Sequence, residues 1–194
     1  SAPPPTVQTF PDPSKRNDMT DDAAAGSPPA FDIRPATPAD VPQLVELIRG
    51  LADYERLAHL VHWTPEDLHA ALFGERPAAE ALLAWTAPHS AAGFALFFHN
   101  YSTFLGRRGL YLEDIYVRPQ FRGQGCGKAL LVRLARLACE RGCGRFEWSV
   151  LDWNQDAQRF YQSLGASVLP DWRIVRVTGE ALARLAASGT DVKP

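Results

Sequence analysis

The chain has 194 residues, 46% of them hydrophobic and 22% charged, and its 20 basic and 22 acidic side chains leave a formal charge of −2. That length suits one domain of ordinary size with a full core. So balanced a charge removes the electrostatic case for nucleic acid or membrane as a partner. No apolar run approaches the roughly 18 residues a membrane span requires, and the N-terminus lacks the apolar centre of a secretory signal. Cys126, Cys139 and Cys143 form no disulfide framework, so a reducing, cytoplasmic setting is expected. Neither Cys139 with Cys143 nor His59, His62 and His69 has the spacing of a metal site, and no metal is expected.

Residues 1–30 hold seven of the sixteen prolines and few large apolar groups. Such a segment cannot offset its ordering entropy, so a disordered tail is expected, with Met19 as an alternative first residue. Folding sequence starts at Phe31 and runs to Ala187; residues 188–194 read as a frayed end. Phe31–Arg34 is a short strand. Asp40 with Gln43 makes a variant capping box with Pro42 in the first turn, and the helix it opens carries Val41, Leu44, Val45, Ile48 and Leu51 on one face to about Ala52. Thr64-Pro65-Glu66-Asp67 opens a second helix, with a capping oxygen, a first-turn proline and acids at the positive dipole end; Gly74 closes it.

Strands follow at Ala81–Thr86, Gly93–His99 and Gly109–Val117. A helix from Gly125 to Arg141 places Leu130, Leu131, Leu134, Ala135 and Ala138 at helical spacing before Gly142. Arg145–Leu151 is a strand, Asn154 caps a helix ending at Leu164, Trp172–Val177 is a strand, and Glu180–Ala187 is a short helix. The order βααβββαβαβ predicts an α/β sheet covered by helices on both faces.

The stretch Val117-Arg118-Pro119-Gln120-Phe121-Arg122-Gly123-Gln124-Gly125-Cys126-Gly127-Lys128 joins a strand to a helix. Glycines at alternate positions let the backbone approach a ligand, and the helix N-terminus adds partial positive charge, so a phosphate or pyrophosphate is the natural guest. A P-loop is excluded because Lys128 is followed by Ala129 and Arg122 stands where its first glycine belongs. A dinucleotide fingerprint is excluded because Lys128 occupies its third glycine position. The pattern Arg/Gln-x-x-Gly-x-Gly/Ala fits at Arg122, Gly125 and Gly127.

That pattern is similar to the acetyl-CoA pyrophosphate motif of the GNAT superfamily of N-acetyltransferases. From Phe31 to about Ala187 the chain resembles the superfamily's diamine acetyltransferases, the spermidine/spermine and thialysine enzymes. The matching stretches are Ile33-Arg34-Pro35-Ala36-Thr37, Leu51-Ala52-Asp53-Tyr54-Glu55, Tyr111-Leu112-Glu113-Asp114-Ile115-Tyr116-Val117, the glycine loop, Leu151-Asp152-Trp153-Asn154-Gln155 and Phe160-Tyr161. The resemblance implies a GNAT fold, with a mixed, mainly antiparallel central sheet and helices on both faces. It also implies acetyl-CoA as co-substrate, a homodimer, and direct transfer to a small amine within a ternary complex.

Acetyl transfer to an amine requires a neutral nucleophile, a polarised carbonyl and a proton for the departing thiolate. Tyr161 follows the capping Asn154 by two helical turns, and a phenol can protonate a thiolate. The resemblance makes Tyr161 the general acid. It assigns Glu113 to amine binding and, through water, base catalysis. Asp114 is read as structural or as supporting the site from behind, because adjacent strand residues point to opposite faces. The peptide groups of Ile115, Tyr116 and Val117 are implied to pair with the pantetheine arm, one N–H polarising the carbonyl. Arg122, Gly123, Gln124, Gly125, Cys126, Gly127 and Lys128 are implied to cradle the pyrophosphate. Asn154, Gln155, Asp156, Ala157 and Leu164 would line the rest of CoA.

The amine pocket is implied to use Tyr54, Glu55, Glu147, Trp148, Ser149 and Trp172, acids and aromatic walls that suit a compact cation. Where polyamine-acetylating members carry an aspartate, Ser102 stands here, as in the thialysine type, which withholds a charge from long polyamines. The alternatives are a spermidine/spermine acetyltransferase, a non-catalytic acyl-CoA sensor, and an acetyltransferase of protein termini or lysines. Retention of Tyr161 and Glu113 argues against the sensor, and Glu55 with Trp172 would close the pocket to a polypeptide.

Overall fold

A computed structural model describes residues 31–87 and 90–189; the N-terminal thirty residues and the last five therefore lie outside the described residues, as do the expectations placed on them. The chain divides into two compact units, one ending at Glu147 and one beginning at Trp148. The first contains β1 (Asp32–Pro35), α1 (Val41–Tyr54), α2 (Pro65–Phe73), β2 (Glu80–Ala87), β3 (Ser90–Ser102), β4 (Arg107–Val117) and α3 (Cys126–Glu140). β5 (Phe146–Trp148) meets the boundary, and α4 (Gln155–Ser163) and α5 (Gly179–Ala187) belong to the second unit.

The sheet runs in the order β1-β2-β3-β4-β5, with antiparallel pairing from β1 to β4. β5 starts beside the first half of β4, where Gly144 donates to Arg108 O and Leu110 donates to Arg145 O. The expected mixed, mainly antiparallel sheet is therefore present. One face of the sheet is set by alternation: Leu83 and Trp85 of β2, Phe94 of β3 and Tyr116 of β4 pack with Leu44, Leu47 and Leu51 of α1 and Leu72 of α2. Leu82, Ala95, Phe97, Leu110 and Leu112 are buried on the opposite face. There α3 lies with Leu130, Leu131, Leu134 and Ala138 inward, and Arg141 reaches Glu80 at 2.7 Å and the ring of Phe97.

Two helix starts differ in their chemistry from one another. Thr64 and Asp67 make the reciprocal box expected of α2: Asp67 N donates to Thr64 Oγ1 at 3.2 Å, and Thr64 N donates to Asp67 Oδ2 at 2.8 Å. Before α1, however, Asp40 does not pair with Gln43. Its carboxylate turns back to accept from Thr37 N and Oγ1 at 2.8 and 2.7 Å, so the box is Thr37–Asp40 around a short 3-10 turn. The motif Thr-Pro-Ala-Asp repeats the Thr-Pro-Glu-Asp of α2, and that similarity was the better guide.

The other correction lies in the second unit. Residues 172–177, expected as a strand, pair with no strand among the described residues. A strand holds its extended backbone only when a neighbour accepts its hydrogen bonds, and alternating apolar composition alone cannot supply that neighbour.

Candidate functional site

The end of β4 is built around a bulge. Asp114 pairs with Leu96 and Leu112 pairs with Phe97, so Glu113 is an extra residue in β4 with no partner on β3. A bulge suspends side-chain alternation and re-aims the residues at it. Asp114 shares the α1 face with Leu96, Phe94 and Tyr116. Both Glu113 and Glu55, the residue that caps the C-terminus of α1, lie close enough to act on it electrostatically. Burial, then Glu113, then Glu55 push the Asp114 carboxyl from its ordinary 3.8 up to about 6. Burial also raises Glu55. None of these three carboxylates has a basic side chain at ion-pair distance among the described residues.

Asp114 was expected to be structural or to act from behind the site. It makes no side-chain hydrogen bond among the described residues, and it is the most perturbed acid of the site. The sequence carried a signal for this: the buried positions Leu110 and Leu112 are even-numbered on one face, while after Glu113-Asp114 the same face continues at odd-numbered Ile115 and Val117. A phase slip in a period-two pattern marks a bulge.

α1 stops abruptly beside these acids. Leu57 N reaches back to Ala52 O at 2.8 Å, and Arg56 takes a left-handed φ of 62°, which fixes Tyr54 and Glu55 at the helix end. Gly50, one turn earlier, leaves room for the Tyr116 ring: a Cβ there would meet Tyr116 Oη at 3.0 Å. Arg122, from the glycine loop, lies over the Tyr54 ring at 4.6 Å and the Tyr116 ring at 5.6 Å, while its Nε donates to Val117 O at 2.9 Å. The first residue of the loop motif is thus packed against the end of α1. Arg118 adds a second tie, donating to Ala91 O at 3.0 Å and to Glu46 at 2.9 Å.

The loop itself has the geometry of an anion cradle. Gly123 and Gly125 have φ of 71° and 86°, a region that other L-residues occupy only with strain, and nothing lies within 4 Å of a Cβ built on either. Gly125 provides no capping oxygen for α3, whose first intrahelical bond is Ala129 N to Gly125 O at 2.9 Å. The first-turn N–H groups of Cys126, Gly127 and Lys128 are therefore left to a ligand or to water. Cys126 is buried, and burial pushes its thiol up to about 11, so it stays protonated.

Not every expected acceptor residue joins this group. The Glu147 carboxylate forms an ion pair with Arg145, 2.8 Å from its Nε, and accepts from Asn100 Nδ2 at 3.1 Å, within a network across β3 and β5. Ser102 lies opposite Arg107 at the hairpin, buried, with its Oγ accepting from Leu105 N at 3.2 Å. Its hydroxyl belongs to the turn, six strand positions from Glu113, so the charge it withholds is not withheld from the carboxylate group. In the second unit, Asn154 caps α4 as expected, its Oδ1 accepting from Ala157 N at 3.2 Å. Gln155 is tied to Asp152 O, Asp156 pairs with Arg159, and Leu164 caps the helix end. Tyr161 is half-buried, its ring edge-on to Trp148 at 5.1 Å and tilted against Phe160 at 5.5 Å. Trp172 is 75% exposed.

A sheet of this order, with a bulged β4 leading into a glycine cradle at the head of α3, defines an acyl-CoA-dependent transferase. The profile of the acetyltransferase (GNAT) family matches residues 48–166, and the chain belongs to that family. It is 38% identical to the L-ornithine N5-acetyltransferase of Arabidopsis thaliana, covering 77% of this chain and 85% of that one. It is 41% identical to the thialysine N-epsilon-acetyltransferase of Bos taurus, covering 79% and 96%. Among solved structures it resembles an integron cassette protein from V. cholerae, with a TM-score of 0.70, 26% identity, and coverage of 81% and 98%. The chain is therefore an acetyltransferase. The family's co-substrate, acetyl-CoA, suits the open left-handed glycines and free amides of the loop, which meet the demands of a pyrophosphate.

Proposed function

We propose that the chain transfers acetyl from acetyl-CoA directly to the side-chain amine of a small acceptor of the thialysine or ornithine type. One observation carries this reading: Glu55 and Glu113 gather around Asp114, and none of the three has a basic side chain at ion-pair distance among the described residues. Such a group attracts a compact cation with one or two ammonium centres. The named activities of the plant and bovine relatives support an acceptor of that size.

When bound, acetyl-CoA supplies the activated acyl group. In this mechanism the amides of Cys126, Gly127 and Lys128 hold the pyrophosphate, and the end of β4 orients the thioester arm. Glu113, exposed at the bulge, binds the ammonium and takes its proton through water. Asp114 lies behind it, protonated below about pH 6, and limits the repulsion between neighbouring carboxylates. Tyr161 Oη delivers a proton to the departing sulfur. The neutral, buried Cys126 thiol favours direct transfer over a covalent acyl-enzyme.

The test is a competition assay with thialysine, ornithine and spermidine at equal concentration, read by thiol release. Higher kcat/KM for thialysine or ornithine is expected; preference for spermidine overturns the acceptor assignment. Initial-rate lines that intersect support a ternary complex, and parallel lines refute it.

The same proposal includes a homodimer. In the second unit, Trp172, Ile174 and Val175 are 75, 71 and 89% exposed in a segment that pairs with no strand among the described residues. Large apolar side chains so exposed suit burial against another copy. Sedimentation of wild type and Ile174→Asp tests this: a dimer converted to monomer is expected, and a wild-type monomer refutes it.

A further inference from the structure

At the hairpin end of the sheet, away from the glycine loop, His99, Tyr101, Gly106, Arg107, Arg108 and Gly142 line a cleft of about 630 Å³. The register explains the grouping. Tyr101 pairs with Arg108 across β3 and β4, His99 precedes Tyr101 by two positions on the same face, and Arg107 follows at the turn. Gly142 brings the end of α3 to that face. Neither Arg107 nor Arg108 has a carboxylate at ion-pair distance among the described residues.

The neighbouring acids are already engaged, Glu80 with Arg141 and Glu140 with Arg133. The partial negative charge at the C-terminus of α3 offsets only about half a charge. His99 Nε2 is covered and lacks a hydrogen-bond partner. Tyr101, 63% exposed, presents its ring at the rim. Arg108 stands beside Tyr101 on the face of the cleft and Arg107 borders it at the turn, and two guanidinium groups without an acid suit an anion that reaches both.

We propose that this cleft binds a small phosphate-bearing anion, its charge met by Arg107 and Arg108 and any attached ring stacked on Tyr101. The site is separate from the pyrophosphate cradle: Arg108 and Val117 stand nine strand positions apart on β4, about 30 Å. Acetyl transfer does not use it.

Calorimetric titration of inorganic pyrophosphate into the full chain, with CoA saturating the glycine loop, tests the assignment. Binding is expected to persist under CoA, to weaken with added salt, and to weaken by about tenfold or more in the Arg107→Ala/Arg108→Ala variant. Unchanged CoA affinity in that variant serves as its folding control. Adenosine diphosphate is expected to bind more tightly than pyrophosphate and to lose that advantage in Tyr101→Ala. A second readout is the imidazole resonance of His99. Burial and the charges of Arg141 and Arg108 hold its pKa down, so a bound anion should raise it. Absence of binding under CoA, equal affinity in the double arginine variant, or equal affinity for malonate overturns the proposal.

Discussion

Replacing Asp114 by Asn removes a carboxyl that the folded chain holds near pH 6. The unfolded chain releases that proton near 3.8, whereas the native chain keeps it to about 6. Stability is therefore fully present below the unfolded value and falls as pH rises between the two, because the native state then binds more protons than the unfolded one. The displacement corresponds to at most about 3 kcal/mol, reached above the native pKa. Asp114→Asn has no such titration, so the variant should gain on wild type across the same window and keep a constant advantage at higher pH. Urea unfolding of both proteins from pH 4 to 8 gives the difference directly, since other acids cancel between them. Glu113→Gln or Glu55→Gln should shrink the rise, Glu113→Gln the more, in keeping with the order of their influence on Asp114. A difference that stays flat over this range would refute the half-buried, acid-flanked placement of Asp114.

Tyr161→Phe should leave acetyl-CoA affinity within a few-fold and lower turnover by about 10²–10⁴, because only proton donation is removed; turnover within about twofold of wild type across neutral and alkaline pH removes the phenol from that role. Gly125→Val should cost at least about 1–2 kcal/mol of backbone strain at φ 86° and abolish most CoA binding, since its branches would fill the cradle. Calorimetry with circular dichroism checks it, and a folded variant with normal CoA affinity assigns the glycine to the turn alone. By contrast, Gly127→Ala should be nearly silent in the same titration, because its Cβ would meet only Val117 Cγ2 at 3.9 Å.

The fold was legible because its signals were local. Thr64, Pro65 and Asp67 announce α2, and Leu130, Leu131, Leu134 and Ala138 announce the inward face of α3, through spacing that tertiary contacts do not alter. The glycine loop was legible because two formal motifs fail there and a third fits. What stayed hidden depends on partners far along the chain. The role of Ser102 follows from Leu105 N and the hairpin register, and that of Glu147 from Asn100 and Arg145, none of which residue type reveals. The face that Asp114 takes was hidden by assuming an unbroken strand, although the slip from Leu112 to Ile115 was visible. For residues 172–177 composition favoured a strand, but composition carries no information about which edge receives it.

The extra residue at Glu113 also lets β4 exceed its paired length on β3 without turning over its core. Before it, Leu110 and Leu112 face α3; after it, Tyr116 faces α1 through the space that Gly50 leaves. Deleting Glu113 would make Leu112 and Asp114 consecutive opposite Phe97 and Leu96, a regular ladder with Leu112 still toward α3 and Tyr116 still toward α1. Were Glu113 instead drawn into the ladder as an ordinary strand residue, Tyr116 would turn toward α3 and Ile115 toward α1. The bulge thus lets β4 carry one more residue, a carboxylate, without pulling the core of one face through to the other.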